Sequence, residues 1–340
     1  MKGAEMTIKD IARLSGCGVA TVSRVLNNHP DVSEETRRKV MAVVEEYGFM
    51  PNSNAKHLKQ QASGRIAIIV KGTKNLLFAD LVEEIQALLL ETEQDAAVYY
   101  LDEDADEVAY ALKLCRERRP KGFLFLGGDL EQFKAGFAPI TVPSVLLTNS
   151  AEGLGFDNLS SFTTDDEQAA AQVIDLLAGL GHHNIGVLGG NLSSTQISYR
   201  RLRGCRKACE RLHIPFDLEK QCEQCRYSMP DAYAAAKRLL QRKPDLTAIF
   251  ALSDVMALGA IRALSDMGKR VPEDISVVGY DGIVTGQYSL PRLTTIKQDT
   301  RELAEQGVDS LLRGFVRSGH PVHGVVPFQL VSGESVAKIR

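Results

Sequence analysis

From Arg65 onward, short apolar bursts rich in β-branched residues alternate with longer stretches whose apolar side chains recur at helical spacing. No other feature narrows the fold of this chain as much. The bursts IAIIV (66–70), AVYYL (97–101), GFLFL (122–126), SVLL (144–147), IGVL (185–188), AIFA (248–251) and ISVV (275–278) predict buried strands. Helices are predicted near 79–93, 106–118, 166–180, 199–212, 229–241, 254–267 and 299–317; Leu81, Val82, Ile85, Leu88 and Leu89, for example, share one helical face. Repeated strand–helix units place helices on both faces of parallel sheets. Spread over about 275 residues, they predict an α/β core of two doubly wound parallel-sheet lobes, with a ligand cleft at the carboxyl ends of the strands. The first lobe is expected to take about 65–165 and 297–327, the second about 166–296 and 328–340.

The first 50 residues have a different texture and predict a separate all-α headpiece. Thr7 can cap a first helix whose apolar stripe is Ile8, Ile11, Ala12 and Leu14. Ser15-Gly16-Cys17-Gly18 reads as a tight turn, and a second helix runs from Val19 to about Asn27 with Val22, Val25 and Leu26 inward. Ser33 caps a third helix, Glu34 and Glu35 lie at its positive end, and Val40, Val43 and Val44 face inward. Two short helices joined at a small-residue turn form a helix-turn-helix, whose second helix presents short polar groups to base edges. Thr21, Ser23, Arg24 and Asn27 make such a face, with no acidic residue among them, where a purely structural bundle would carry Glu and Lys. Residues 1–64 hold nine Lys/Arg against seven Asp/Glu, which leaves −5 on the remainder of a chain whose net charge is −3. Only the head suits a phosphate backbone.

Between them, PNSNAKHLKQQASG (51–64) lacks a core pattern and reads as a linker, or as a helix that forms only with a partner. No apolar run approaches 18 residues, and the first 25 residues contain no apolar leader core, so a cytoplasmic protein without membrane spans is expected. Cys205, Cys209, Cys222 and Cys225 fall within zinc-site spacing, but Leu202, Cys205, Cys209 and Leu212 also form a helical core stripe, and core packing is the preferred reading. His182-His183 before a strand reads as a turn. The phosphate-loop, zinc-protease and nucleophile-elbow motifs are missing, so neither a catalytic site, a metal nor a cofactor is expected.

TIKDIA, TVSRVLN, VSEETRRKV and YGFMPN resemble the headpiece of the lactose/galactose-repressor family of bacterial transcription regulators. ALSDVMALGAIRAL, VPEDISVVGYDG and PRLTTIKQD resemble that family's effector-binding core, which is related to periplasmic sugar-binding proteins. The resemblance spans essentially the whole chain. It implies a homodimer on a pseudo-palindromic DNA operator, controlled by a small effector, most naturally a sugar or sugar-phosphate. Control by a purine-type corepressor or a protein partner is the alternative, and a solute-binding protein or a sugar-metabolising enzyme is disfavoured.

Carried over residue by residue, DNA contacts are expected from Thr7, Ile8, Gly18, Val19, Ala20 and Ser33 besides the four polar residues of the second helix. The linker adds Asn52, Ala55, Lys56 and Leu58, with Leu58 as an apolar wedge in the minor groove. The family often has Val-Ser where this chain has Cys17-Gly18, and Arg where it has Lys56. Gly18 thus lacks a phosphate-binding hydroxyl, and Val19 and Ala20 can read only thymine methyls or shape. In the core, the resemblance assigns effector contacts to Arg201 of SYRRLRG and Asp281 of GYDG, the latter expected as an ionised acceptor at a strand end. Phe78 and Tyr227 are expected as apolar or stacking walls, with Asn149 and Ser253 nearby.

Overall fold

The computed structural model describes residues 8–26, 32–47, 64–190, 193, 195–316 and 320–339, and the chain divides into two compact units, 1–63 and 64–340.

The first unit contains α1 (Ile8–Ser15), α2 (Val19–Leu26) and α3 (Glu34–Glu46). Ile11, Ala12, Val22, Val25 and Val40 form its core, with Leu26, Val43 and Val44 packed against it. The expected stripe on α1 is displaced by one residue. Leu14 is 42% exposed, whereas Ser15 is buried because its Oγ donates to the Ile11 carbonyl at 2.7 Å and so needs no water. Gly16, at φ +64°, ends α1: its N–H bonds to the Arg13 carbonyl and the Cys17 N–H to the Ala12 carbonyl, the paired bonds of a left-handed helix stop. Ser33 caps α3 through the Thr36 N–H.

In the second unit, β1 (Ile66–Lys71), β2 (Ala96–Leu101), β3 (Gly122–Leu126), β4 (Ser144–Leu147), β5 (Leu159–Thr164) and β11 (His323–Val326) form one sheet in the order β11-β5-β4-β3-β1-β2, all parallel. Its faces are covered by α4 (Leu76–Glu91) and α13 (Thr300–Val316) on one side, and by α5 (Glu107–Glu117) and α6 (Leu130–Gly136) on the other. A second sheet repeats this order as β12-β10-β9-β8-β6-β7, from β6 (Ile185–Gly189), β7 (Cys222–Gln224), β8 (Ala248–Ala251), β9 (Ser276–Asp281), β10 (Thr294–Gln298) and β12 (Phe328–Val331). Only β12 is antiparallel to its neighbour. Here α7 (Asp166–Gly179) and α8 (Ile197–Arg211) cover one face, and α10 (Met229–Arg242) and α11 (Asp254–Asp266) the other. Two short helices, α9 (Leu218–Gln221) and α12 (Val284–Gln287), complete the unit.

The expected strands and helices are all present, and the additions are informative. β5 (LSSFTT) is fully buried yet carries four hydroxyls, and β10 (TTIKQ) is also polar, so neither reads as an apolar burst. The chain passes between the lobes after β5, after β10 and between β11 and β12. Val255 and Ile283 from the second lobe pack into the core of the first. In both sheets the strand order reverses beside the first strand, between β1 and β3 and between β6 and β8, which places a ligand crevice at those strand ends.

Candidate functional site

On the headpiece, α2 exposes Val19 (44%), Ala20 and Arg24, with Thr21 half-buried, on a helix that contains no acidic residue. Gly18 and Ser33 are exposed at the starts of α2 and α3. Thr7, Asn27, Asn52, Ala55, Lys56 and Leu58 lie outside the described residues, as do the side chains of Ile8 and Ser23.

A cavity of about 90 Å³ sits between the lobes at their reversal points. It is several times the roughly 10–15 Å³ that admits a single water, so it suits a compact polar ligand. Lys71, Gly72, Gly127, Gly128, Thr148 and Asn149 line it from the ends of β1, β3 and β4, and Asn75 and Phe78 from the start of α4. The second lobe contributes Gln196, Ile197 and Arg201 of the α8 segment, and Tyr227. Thr148, at φ +69°, is a β-branched residue in the left-handed region, a strained geometry typical of ligand-facing turns. Tyr227 hydrogen-bonds Ser198 Oγ at 2.6 Å, and a Cβ on Gly190 would come within 2.5 Å of its ring, so only glycine lets the ring lie there.

Arg201 is the most constrained group on the wall. Its Nε donates to Asp166 Oδ1 at 2.8 Å, its Nη1 donates to the Leu252 carbonyl at 2.6 Å, and Nη1 lies 3.6 Å from Asp281 Oδ1. Its guanidinium stacks 3.6 Å from the centre of the Tyr280 ring, whose hydroxyl also donates to Asp166. Burial opposes the charge, but Asp166, Tyr280 and Asp281 outweigh it and hold the Arg201 pKa above its ordinary value.

Asp281 ends β9, deep in the second lobe. It does not line the cavity but stands behind Arg201, 2% exposed, with Gln298 Nε2 donating to Oδ1 at 2.8 Å. Burial pushes its carboxyl up to about 7, against the pull of Arg201 and Gln298. Its Oδ2 is buried with no hydrogen-bond partner among the described residues. Asp281 holds φ +116°, and Asp254 fixes the turn after it by accepting the Gly282 and Ile283 N–H groups at 2.7 and 2.8 Å. Gln298 in turn accepts from Thr164 of the first lobe at 2.9 Å, so Asp281 is wired to the inter-lobe crossings.

Of the six expected effector residues, Phe78, Asn149, Arg201 and Tyr227 converge on the cavity and Asp281 and Ser253 do not. Ser253 is fully buried and caps α11 through the Met256 N–H. Lys71, Glu103 and Gln196 line the cavity without having been expected. Lys71 Nζ donates to Glu107 Oε2 at 2.5 Å, and burial raises the Glu107 carboxyl above its usual range while Lys71 opposes the rise. Glu103 bridges the lobes to Arg226 Nε at 3.0 Å and to the Tyr227 N–H at 3.2 Å. Beside it, Arg226 also meets Asp102 and Asp104, and Thr195 Oγ1 donates to Asp129 Oδ1 at 2.9 Å. A lone charge at a strand end gives no sequence signal of its role until its distant partner is known.

Elsewhere, Cys205, Cys209 and Cys222 pack in the apolar core of the second lobe, and no metal-holding cluster of His, Cys, Asp and Glu occurs among the described residues. His182 bonds Thr247 Oγ1 and the Ala337 carbonyl, tying down the last segment rather than facing a ligand. No helix among the described residues is long and apolar enough to cross a membrane.

Residues 7–52 match the family described as bacterial regulatory proteins, lacI family, and residues 174–336 match the periplasmic binding protein-like domain. The HTH-type transcriptional regulator MalR of Clostridium butyricum is 36% identical over 337 residues, covering 98% of this chain and all of that protein. The chain belongs to the lacI family. It is a helix-turn-helix transcription regulator with a periplasmic-binding-protein-like core. Among solved lacI-family structures, the lac repressor dimer bound to operator and the anti-inducer ONPF superposes with a TM-score of 0.80 at 27% identity, covering 98% of this chain and all of that one. The complex of the regulator CelR with cellobiose superposes with a TM-score of 0.70 at 26% identity, covering 97% and 99%.

Proposed function

We infer that this lacI-family regulator is a repressor of carbohydrate-utilisation genes, working in the cytoplasm as a homodimer on a pseudo-palindromic operator. A small sugar held between the core lobes controls it. The observation that carries the reading is the convergence of Arg201, Asn149, Phe78 and Tyr227 on one cavity at the reversal points of both sheets. Carbohydrates need this mixture: directional donors and acceptors for hydroxyls, and aromatic faces for the apolar side of the ring. Arg201 makes the direct contact, while Asp166 and Asp281 hold its plane.

Sugar bound between the lobes favours one relative lobe orientation. The chain Arg201–Asp281–Gln298–Thr164 leads from the cavity wall to the crossings between lobes, which gives that preference a physical route. Residues 1–50 then act as the DNA-reading head and 51–64 as the hinge, with Leu58 opening a base step.

The test begins with selection of duplexes from a random pool by the full-length protein, which should recover a pseudo-palindrome. Arg24→Ala should weaken specific binding by about 1–3 kcal/mol while leaving non-specific binding less affected. A sugar that raises the melting temperature should change operator affinity, and operator should change sugar affinity by the same factor. Failure to enrich any duplex, or sugar binding indifferent to operator, would overturn the assignment.

A further inference from the structure

The charges around the cavity say more about the ligand than its shape does. Lys71 ends β1 with its side chain 9% exposed, and Glu107, fully buried, comes from the start of α5. Lys71 Nζ donates to Glu107 Oε2 at 2.5 Å and to Gln132 Oε1 at 3.2 Å, and Glu107 Oε1 accepts the Asp129 N–H at 2.6 Å. Apolar side chains of similar volume would fill this space at lower cost, so packing does not account for the pair. An ammonium has three N–H donors, and two are committed here, which leaves one for a ligand at the strand end where ligands of such sheets sit.

Every cation on the wall is already matched. Lys71 faces Glu107; Arg201 faces Asp166 at 2.8 Å and Asp281 at 3.6 Å; Glu103, also on the wall, is an additional acid held by Arg226. Among the described lining residues no positive charge remains to balance an anionic ligand. A phosphate or carboxylate would instead lie near Glu103 and Glu107 in a site of low dielectric, where like charges repel strongly.

We propose that the cleft takes an uncharged polyhydroxylated ligand, a sugar bearing neither phosphate nor carboxylate, and that the Lys71–Glu107 pair reads its hydroxyls from the first lobe. The proposal rests on the sugar reading given above and narrows it. The paired geometry suits a hydroxyl because that group both donates and accepts.

The experiment uses the full-length protein in calorimetry and thermal-shift assays. The probes are glucose, galactose, ribose, maltose and cellobiose, each beside its phosphate ester, with glucuronate and galacturonate. Any sugar that binds should do so at least tenfold more tightly than its own ester or uronate. Glu107→Gln leaves the Lys71 charge unmatched and should shrink that preference tenfold or more, whereas Lys71→Gln should weaken neutral-sugar binding without reversing the preference. An ester or uronate bound more tightly than its parent sugar overturns the proposal, as does a folded Glu107→Gln protein with an unchanged ratio. Should Glu107→Gln fail to fold, the wild-type ratio alone decides. Binding of none of these probes overturns the broader sugar reading, a result distinct from a reversed preference.

Discussion

At the strand ends of the first lobe one ammonium faces one carboxylate, Lys71 and Glu107; in the second lobe one guanidinium faces two, Arg201 between Asp166 and Asp281. The sheets repeat the same strand order, so the backbone does not dictate this difference. The first-lobe pair is built from a strand end and a helix start, and keeps a donor free. The second-lobe cluster spends its guanidinium on Asp166, the Leu252 carbonyl and the Tyr280 face, and gains a fixed plane. One fold duplicated thus yields an adaptable wall and a rigid one.

The sharpest break of this contrast is Arg201→Met. It leaves Asp166 and Asp281 buried without their shared cation, and should cost about 3–5 kcal/mol of core stability in urea unfolding, together with sugar binding. A loss below about 1 kcal/mol would mean that the second wall is not organised around this residue.

Next comes Asp281, whose folded-state pKa of about 7 lies above the ordinary 3.8. The folded protein then holds this proton more tightly than the unfolded chain, so the contribution is complete below about pH 4. It declines as pH rises through 7, and is constant beyond. Between pH 5 and 8 the stability of wild type relative to Asp281→Asn should fall by on the order of 2–3 kcal/mol. A difference that stays level with pH would show that burial does not perturb this carboxyl.

Lys71→Met should cost less, about 1–3 kcal/mol, because Glu107 keeps the Asp129 N–H and can take up a proton. Equal losses for Lys71→Met and Arg201→Met would erase the distinction between the walls.

The two walls were also unequally legible in the sequence. The strands named as apolar bursts are all present; most are buried on both faces and so must be continuously apolar, while β2, at the edge of its sheet, is only partly buried. β5 escaped notice because its buried hydroxyls are satisfied locally and at long range: Ser161 Oγ accepts the Ala151 N–H, and Thr164 reaches Gln298. Arg201 stands in a recognisable segment, so the second wall was half visible. Lys71 and Glu107 are 36 residues apart and each resembles an ordinary surface charge until folding joins them. Asp281 was legible as a strand-end carboxylate, but its place behind Arg201 was not, since that depends on the turn that Asp254 fixes. On α1, hydrophobicity favoured Leu14 for burial, and a side-chain hydrogen bond to the helix's own backbone put Ser15 there instead.

The smallest effect belongs to the bridge joining the walls. Arg226, just after β7, reaches Asp102, Glu103 and Asp104, which follow β2 in the other lobe, and its side chain is 46% exposed. Exposed ion pairs contribute little because water already solvates both partners and salt screens them. Three acids around one guanidinium nevertheless favour the arrangement in which the lobes approach, and the Tyr227 N–H shares Glu103 with Arg226. Arg226→Gln should therefore leave the melting temperature of the unliganded protein almost unchanged. Sugar affinity should weaken by at most about fivefold at low salt, since closure loses this attraction. In 1 M salt, where the screening length is about 3 Å, wild type and variant should bind alike. Calorimetry of both proteins at 50 mM and 1 M salt measures this, and a larger loss that persists in high salt would make Arg226 part of the ligand-binding wall itself rather than a link between the two lobes.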